Sequence, residues 1–413
     1  MAINNIEVTD KLVSVTRYIL DTMSEEGNWK SPEHEPWGPI ITVLNVDHLL
    51  SCGMKIDDEW SVNCNGQIHK CTLNKCLEYL NSQINQDGNF GADFWDSCKM
   101  AAFVLKYKIQ EKIPKFTCLQ EYIKNKYNIG YLSSHDYNWA GPGAYAACAD
   151  FFLYNGQSDI AKAIINSVIT LQKRDGSFVG MEKSTGGYFV NPIWHTSQVI
   201  MTILNSHYDI NEDIVNNAKQ YMIDKQAPNG GYDDFSNYGI YYASYAILGF
   251  LAFNNRPENL KRALDNVINL ISIEGKVGDA GGTTMVALAL GKYLGDDVHN
   301  IFEKIQIKRS KALLEENKIL KQKNDELISQ INVFNTRYGD ADIVLTKKEV
   351  WKWGILLAII IFIIPILTDF VKSTLFKNNE HAMTQQITDQ SSDSFSEDSK
   401  TENDSILQGR NND

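Results

Sequence analysis

Residue types able to move a proton or hold an apolar molecule gather at a few matched places in this chain. Asp93, Trp95 and Asp96 stand together, as do Asp136, Asn138 and Trp139, then Trp194 and His195, then Asp234, Tyr238, Tyr241 and Tyr242. Trp37 and Asp279 hold the corresponding places toward the two ends. Aromatic walls carrying a few carboxylates and one imidazole can bind a mostly apolar ligand and offer general acid–base chemistry. Asp96 and His195 are the candidate catalytic groups. Trp37, Asp93, Trp95, Trp139, Trp194, Asp234, Tyr238, Tyr241 and Asp279 are the candidate ligand-binding residues. Each also has a plainer use: Asp93 and Asp96 can cap a helix, Asp234 follows a glycine turn, His195 can be a hydrogen-bonded core histidine, and the aromatics can pack the space shut.

What places these residues is a repeated phrase. "INQDGNFGAD", "LQKRDGSFVG" and "KQAPNGGYDD" share a glycine turn followed by an aromatic, and related turns fall at Gly27, Gly130 and, more weakly, Gly275. The six glycines are 42 to 61 residues apart, a period that accommodates two helices and their connections. An amphipathic helix precedes each turn, as in Ala161 to Leu171, where Ile164, Ile165, Val168, Ile169 and Leu171 form one stripe. A helix richer in small and apolar residues follows, such as Tyr241 to Phe253. Six hairpins with one exposed and one enclosed member must stack, and inner helices apolar nearly all round favour a closed ring over an open solenoid.

The phrase Q-x-x-D-G-S-F, present as "QKRDGSF" at Gln172 to Phe178 and approximated at Gln83 to Phe90 and Gln226 to Tyr232, resembles the repeat of squalene cyclases and protein prenyltransferase β subunits. That resemblance covers residues 10 to 300 and implies an (α/α)6 toroid with a central cavity. It is a likeness of fold more than of reaction. The D-x-D-D acid of the cyclases is missing, because Asp57-Asp58, Asp233-Asp234 and Asp296-Asp297 lack the upstream partner. "WHTSQVIMTIL" is similar to the His-bearing helix of the prenyltransferases but falls in the fourth hairpin, and no cysteine follows Cys148, so their zinc site does not carry over. No metal and no cofactor are expected.

The chain has 413 residues, a net charge of -12 and a pI near 5.2, which argues against nucleic acid. Its seven cysteines all lie in the first half and follow no apolar leader, the pattern of reduced thiols. Cys64, His69, Cys71 and Cys76 lack the paired spacing of a zinc site and read as thiols of a connecting segment.

Beyond the ring, Leu313, Leu320, Leu327 and Phe334 recur every seven residues, with Asn317, Asn324 and Ile331 in the alternating core position. Asparagine at that position fixes register and low oligomer number, so 308–336 is expected to form a parallel homodimer. "WKWGILLAIIIFIIPILTDFVKSTLF" then has the length, aromatic flanks and lysines of a membrane span. The expected organisation is an all-α chain: toroid 1–305, coiled-coil helix 306–337, linker 338–350, transmembrane helix 351–371 and an acidic disordered tail 372–413. Flanking charge and free thiols place the toroid on the cytoplasmic side of a single-pass membrane protein.

Three functions fit. The first is a membrane-anchored, prenyltransferase- or terpene-cyclase-like ring that binds or processes an isoprenoid or lipid-like ligand. The second is a noncatalytic tethered sensor or scaffold that dimerises. The third is a glycan-processing toroid using Asp96 and Asp234 as its carboxylates.

Overall fold

The computed structural model describes residues 5–29, 38–64, 67–133, 141–179, 192–232, 239–254 and 256–338. Twelve helices alternate between two layers among the described residues: α1 (Asn5–Asp21), α2 (Gly38–Ser51), α3 (Leu73–Ser82), α4 (Phe94–Tyr107), α5 (Phe116–Asn128), α6 (Gly141–Tyr154), α7 (Ser158–Ile169), α8 (Pro192–Asn205), α9 (Glu212–Asp224), α10 (Gly239–Ala252), α11 (Asn259–Leu270) and α12 (Ala280–Leu294). The even-numbered helices pack in circular order, α2 on α4, α4 on α6 and so on to α12, which returns to α2. This adjacency is a closed inner ring. The odd-numbered helices lie outside it, with α11 on α10, α9 on α8, and α1 on α12.

The sequence difference between the layers follows from their surroundings. In α11 the buried set is Leu260, Ala263, Leu264, Val267 and Ile268, one stripe with the opposite face in water. In α6 the alanines 144, 146, 147 and 149 are all buried, and their small side chains let neighbouring inner helices approach on both flanks.

The repeated phrase is the joint between units. In five turns the backbone bridges across the loop identically: Ser24 N to Asn28 O at 2.8 Å, Asn85 N to Asn89 O at 2.8 Å, Lys173 N to Ser177 O at 2.8 Å, Ala227 N to Gly231 O at 2.9 Å, and Ser272 N to Lys276 O at 3.0 Å. The glycine of each turn has φ between +82° and +93°. Each also lies against a backbone carbonyl of the next outer helix, where a Cβ would collide: Gly27 on Lys75, Gly88 on Cys118, Gly176 on Asn217, Gly230 on Arg262, and Gly275 on Ser14. The last of these joins the final unit to the first. Gly275 is thus a full member of the series, and the irregular unit is the third, where α5 ends at Asn128 and Gly130, at φ +71°, leads into a 3-10 turn at Tyr131–Ser133.

The glutamine of the phrase clamps the same joint. Gln172 Nε2 donates to Gly176 O at 3.1 Å within its own turn and to Ile214 O of α9 at 2.8 Å. Gln226 Nε2 donates likewise to Gly230 O at 3.0 Å and to Asn259 O of α11 at 2.9 Å. The residue ending the phrase is held by an inner-helix hydroxyl, as Phe90 N on Ser97 Oγ, Phe178 N on Thr196 Oγ1 and Val277 N on Thr283 Oγ1, each at 3.0 Å.

The segment joining α2 to α3, expected as connecting chain, contains an antiparallel hairpin, β1 (Trp60–Cys64) with β2 (Gln67–Cys71). Trp60 and Val62 turn into the core, and Trp60 Nε1 donates to Leu20 O at the end of α1 at 3.0 Å. Cys71 and Cys76 are buried thiols, and Cys76 Sγ lies 3.3 Å from Met23 Sδ. Among the described residues no His, Cys, Asp and Glu cluster has the arrangement of a metal site.

α13 (Ile301–Tyr338) is a single helix of 38 residues. Ile301, Phe302 and Ile305 are buried, and Lys308 and Arg309 pair with Asp10 and Asp21 of α1. The first compact unit extends to Asn317. Among the described residues no helix is long and apolar enough to cross a membrane; the proposed span 351–371, the linker before it and the tail after it lie outside the described residues.

Candidate functional site

α4 begins with an aspartate at its cap and another one turn in. Asp93 has extended backbone and accepts from Asp96 N at 2.9 Å, satisfying one of the free N–H groups of a helix start. Asp96 is fully buried and its Oδ2 accepts from Ala92 N at 2.7 Å. The local turn explains why: Gly91, at φ +70°, brings the backbone so close to the Asp96 side chain that no Cβ fits there.

The remaining carboxyl oxygens, Asp96 Oδ1 and Asp93 Oδ2, are buried without a hydrogen-bond partner. Burial, with the neighbouring Asp93 charge adding to it, pushes the Asp96 carboxyl well above its ordinary range, and burial raises Asp93 too. Both effects favour the neutral form of Asp96, and Oδ2 is the oxygen already accepting a hydrogen bond.

Trp95 reaches across the ring. Its Nε1 donates to Gln198 Oε1 on α8 at 3.0 Å, and its ring meets Trp194 edge-on with centroids 5.5 Å apart. Since α6 stands between α4 and α8 in the circle, these contacts join two inner helices that are not sequential neighbours in the ring. Trp194 also packs edge-on against Tyr245 of α10, centroids 6.1 Å apart. Burial holds the Tyr245 phenol above its usual range, and Asp96 acts on it in the same direction. Trp95, Trp194, Gln198 and Tyr245 thus form a floor joining three inner helices.

His195 is fully buried beside Trp194, with ring centroids 4.6 Å apart. Its Nδ1 accepts from Gly143 N of α6 at 3.1 Å, so the neutral ring carries its proton on Nε2. Burial lowers its pKa to about 3. Nε2 of His195 is buried without a partner. Each orphaned group of this kind costs about 1–3 kcal/mol when it stays unpaired.

Two other candidate residues go elsewhere. Tyr241 OH donates to Asp279 Oδ1 at 2.6 Å, and Asp279 caps α12 by accepting from Gly282 N at 2.7 Å. They join the starts of α10 and α12. Trp37, Trp139, Asp234 and Tyr238 lie outside the described residues. Gln198, Tyr245 and Gly143 join these groups without a sequence signal of their own; α8 also carries Thr196, Ser197 and Thr202, among which an amide does not stand out.

No family model matches the sequence, and no curated protein matches it. Among solved structures it is similar to the type II terpene cyclase MstE from Scytonema in its apo form, with TM-score 0.49, 10% identity, and coverage of 71% of this chain and 100% of that one. A variant of that cyclase in complex with geranylgeranyl dihydroxybenzoate gives 0.47 and 11%, covering 71% and 99%. A possible member of the GH105 family from Klebsiella pneumoniae gives 0.46 and 10%, covering 71% and 94%. The toroid itself rests on the circular contacts of the chain's own inner helices.

Proposed function

We propose that the toroid holds an apolar, isoprenoid- or lipid-like ligand above the Trp95–Trp194–Tyr245 floor and that Asp96 is its proton donor. The observation carrying this reading is the buried carboxyl of Asp96, pushed well above its ordinary range by burial and with Oδ1 unpartnered, on a helix whose Trp95 joins an aromatic floor. A carboxylic acid kept protonated by an apolar site can donate a proton or a hydrogen bond at a pH where an exposed aspartate cannot. In this reading His195 stays neutral and orients the ligand through Nε2–H, and proton transfer falls to Asp96. The span 351–371 anchors the chain at the bilayer that stores such ligands.

The second reading is a noncatalytic sensor or scaffold, favoured by one observation: Trp95 is already engaged within the protein, bonded to Gln198 and packed on Trp194.

Native mass spectrometry with lipid extraction on the full-length protein separates them. The enzyme reading expects a copurifying apolar molecule that is chemically altered on incubation with wild type and bound unaltered by Asp96→Asn. A bound molecule that neither protein alters supports the sensor; an empty ring in both overturns ligand binding.

A further inference from the structure

From Ser310 onward every described side chain of α13 is exposed, including Leu314 at 60%, Leu320 at 55%, Leu327 at 56% and Ile328 at 50%. A helix this long with no apolar face covered is marginal in water, since helical stability comes mostly from packing an amphipathic face. Among the described residues nothing in the chain covers this one.

The geometry points to a second copy of the same chain as the occupant, aligned parallel and in register, with Glu316 of each copy paired to Lys321 of the other. The inference is independent of any ligand in the ring. With Leu320 and Leu327 as successive d residues, Asn317 and Asn324 are a residues, Glu316 is a g residue and Lys321 the following e residue. In a parallel dimer a faces a and g faces the next e, so each asparagine meets its own amide partner and two opposite-charge pairs close symmetrically over the Asn317 and Leu320 layers. An antiparallel pair sets a against d, which buries each asparagine against leucine with its amide unsatisfied. The other g residues, Lys323 and Gln330, face Ile328 and Asn335, so no like-charge pair opposes this register.

The test uses the full chain in detergent, followed by sedimentation across a concentration series. Wild type is expected to be dimeric. Glu316→Lys and Lys321→Glu should each self-associate roughly tenfold more weakly, since each turns two attractive pairs into repulsive ones. Mixing the two variants should restore a dimer, a heterodimer, because both pairs are then attractive again. Circular dichroism checks that each variant is folded. A wild-type monomer at all concentrations overturns self-association and directs the face to another protein. A dimer that neither charge reversal weakens, or one that mixing fails to restore, overturns the parallel register.

Discussion

Asp96 and His195 both lie buried on inner helices, and burial moves their pKa values in opposite directions while favouring the neutral form of each. His195, lowered to about 3, and His48, lowered to about 4 in its buried place beside Thr16 and Cys52, are both neutral in the folded chain. A depressed histidine stabilises fully above its unfolded pKa near 6.5 and loses that contribution as pH falls toward the folded value. Stability is therefore expected to drop between pH 6.5 and about 4 by about 1.4 kcal/mol per pH unit for each histidine. Urea midpoints across that range should show the slope, and His195→Gln should flatten it whatever its effect at pH 7. Asp96 runs the other way. Its raised folded pKa makes its contribution largest in acid and smaller as pH rises above the ordinary carboxyl range, so Asp96→Asn should remove that decline.

These two residues were readable in the sequence because they sit at the starts of inner helices, next to the turns that mark them. Gln198 and Tyr245 sit one or more turns further down their helices, where no local signal separates a lumen-facing residue from one between helices. Their role depends on which helices face each other across the ring, a property of the closed circle.

At the scale of the element, the glycine turns are the unit of construction, and the sequence showed them because φ near +85° and contact with a neighbouring backbone both exclude a side chain. Gly176 and Gly156 separate the two demands. Both have positive φ, but Gly176 is pressed on Asn217 while nothing lies within 4 Å of a Cβ at Gly156. Gly156→Ala is expected to cost about 1 kcal/mol for its backbone alone, and Gly176→Ala roughly 3 kcal/mol or more. Thermal unfolding of the two variants checks the difference. Gln226→Ala, which loses its bonds to Gly230 and Asn259, should cost about 1 kcal/mol per bond. The hairpin β1–β2 is not legible in the sequence because each strand has only five residues, too few for the alternation of Trp60, Ser61, Val62 and Asn63 to stand out from a loop.

For the whole molecule, closure is the decisive property. An open solenoid tolerates loss of an end unit, since each repeat leans only on its neighbours. Here α1 covers α12, and Ser14 receives Gly275 from the last unit. Deleting residues 1–22 is therefore expected to abolish cooperative unfolding, followed by near-ultraviolet circular dichroism; a sharp transition in the shortened chain would fit an open array. Closure was legible from inner helices with no exposed face, while the position of the floor was not, because it is set by contacts between α4, α8 and α10, which are far apart in the chain.

The central claim is that a neutral carboxylic acid stands unpartnered over the floor of this ring. Infrared difference spectroscopy of the full-length protein at pH 7, wild type against Asp96→Asn, addresses it directly. The account predicts a protonated-carboxyl carbonyl band in wild type that is absent from Asp96→Asn and persists well above the ordinary carboxyl range. A wild-type spectrum showing only ionised carboxylate at this position would contradict the account and remove the proton donor from the proposed site.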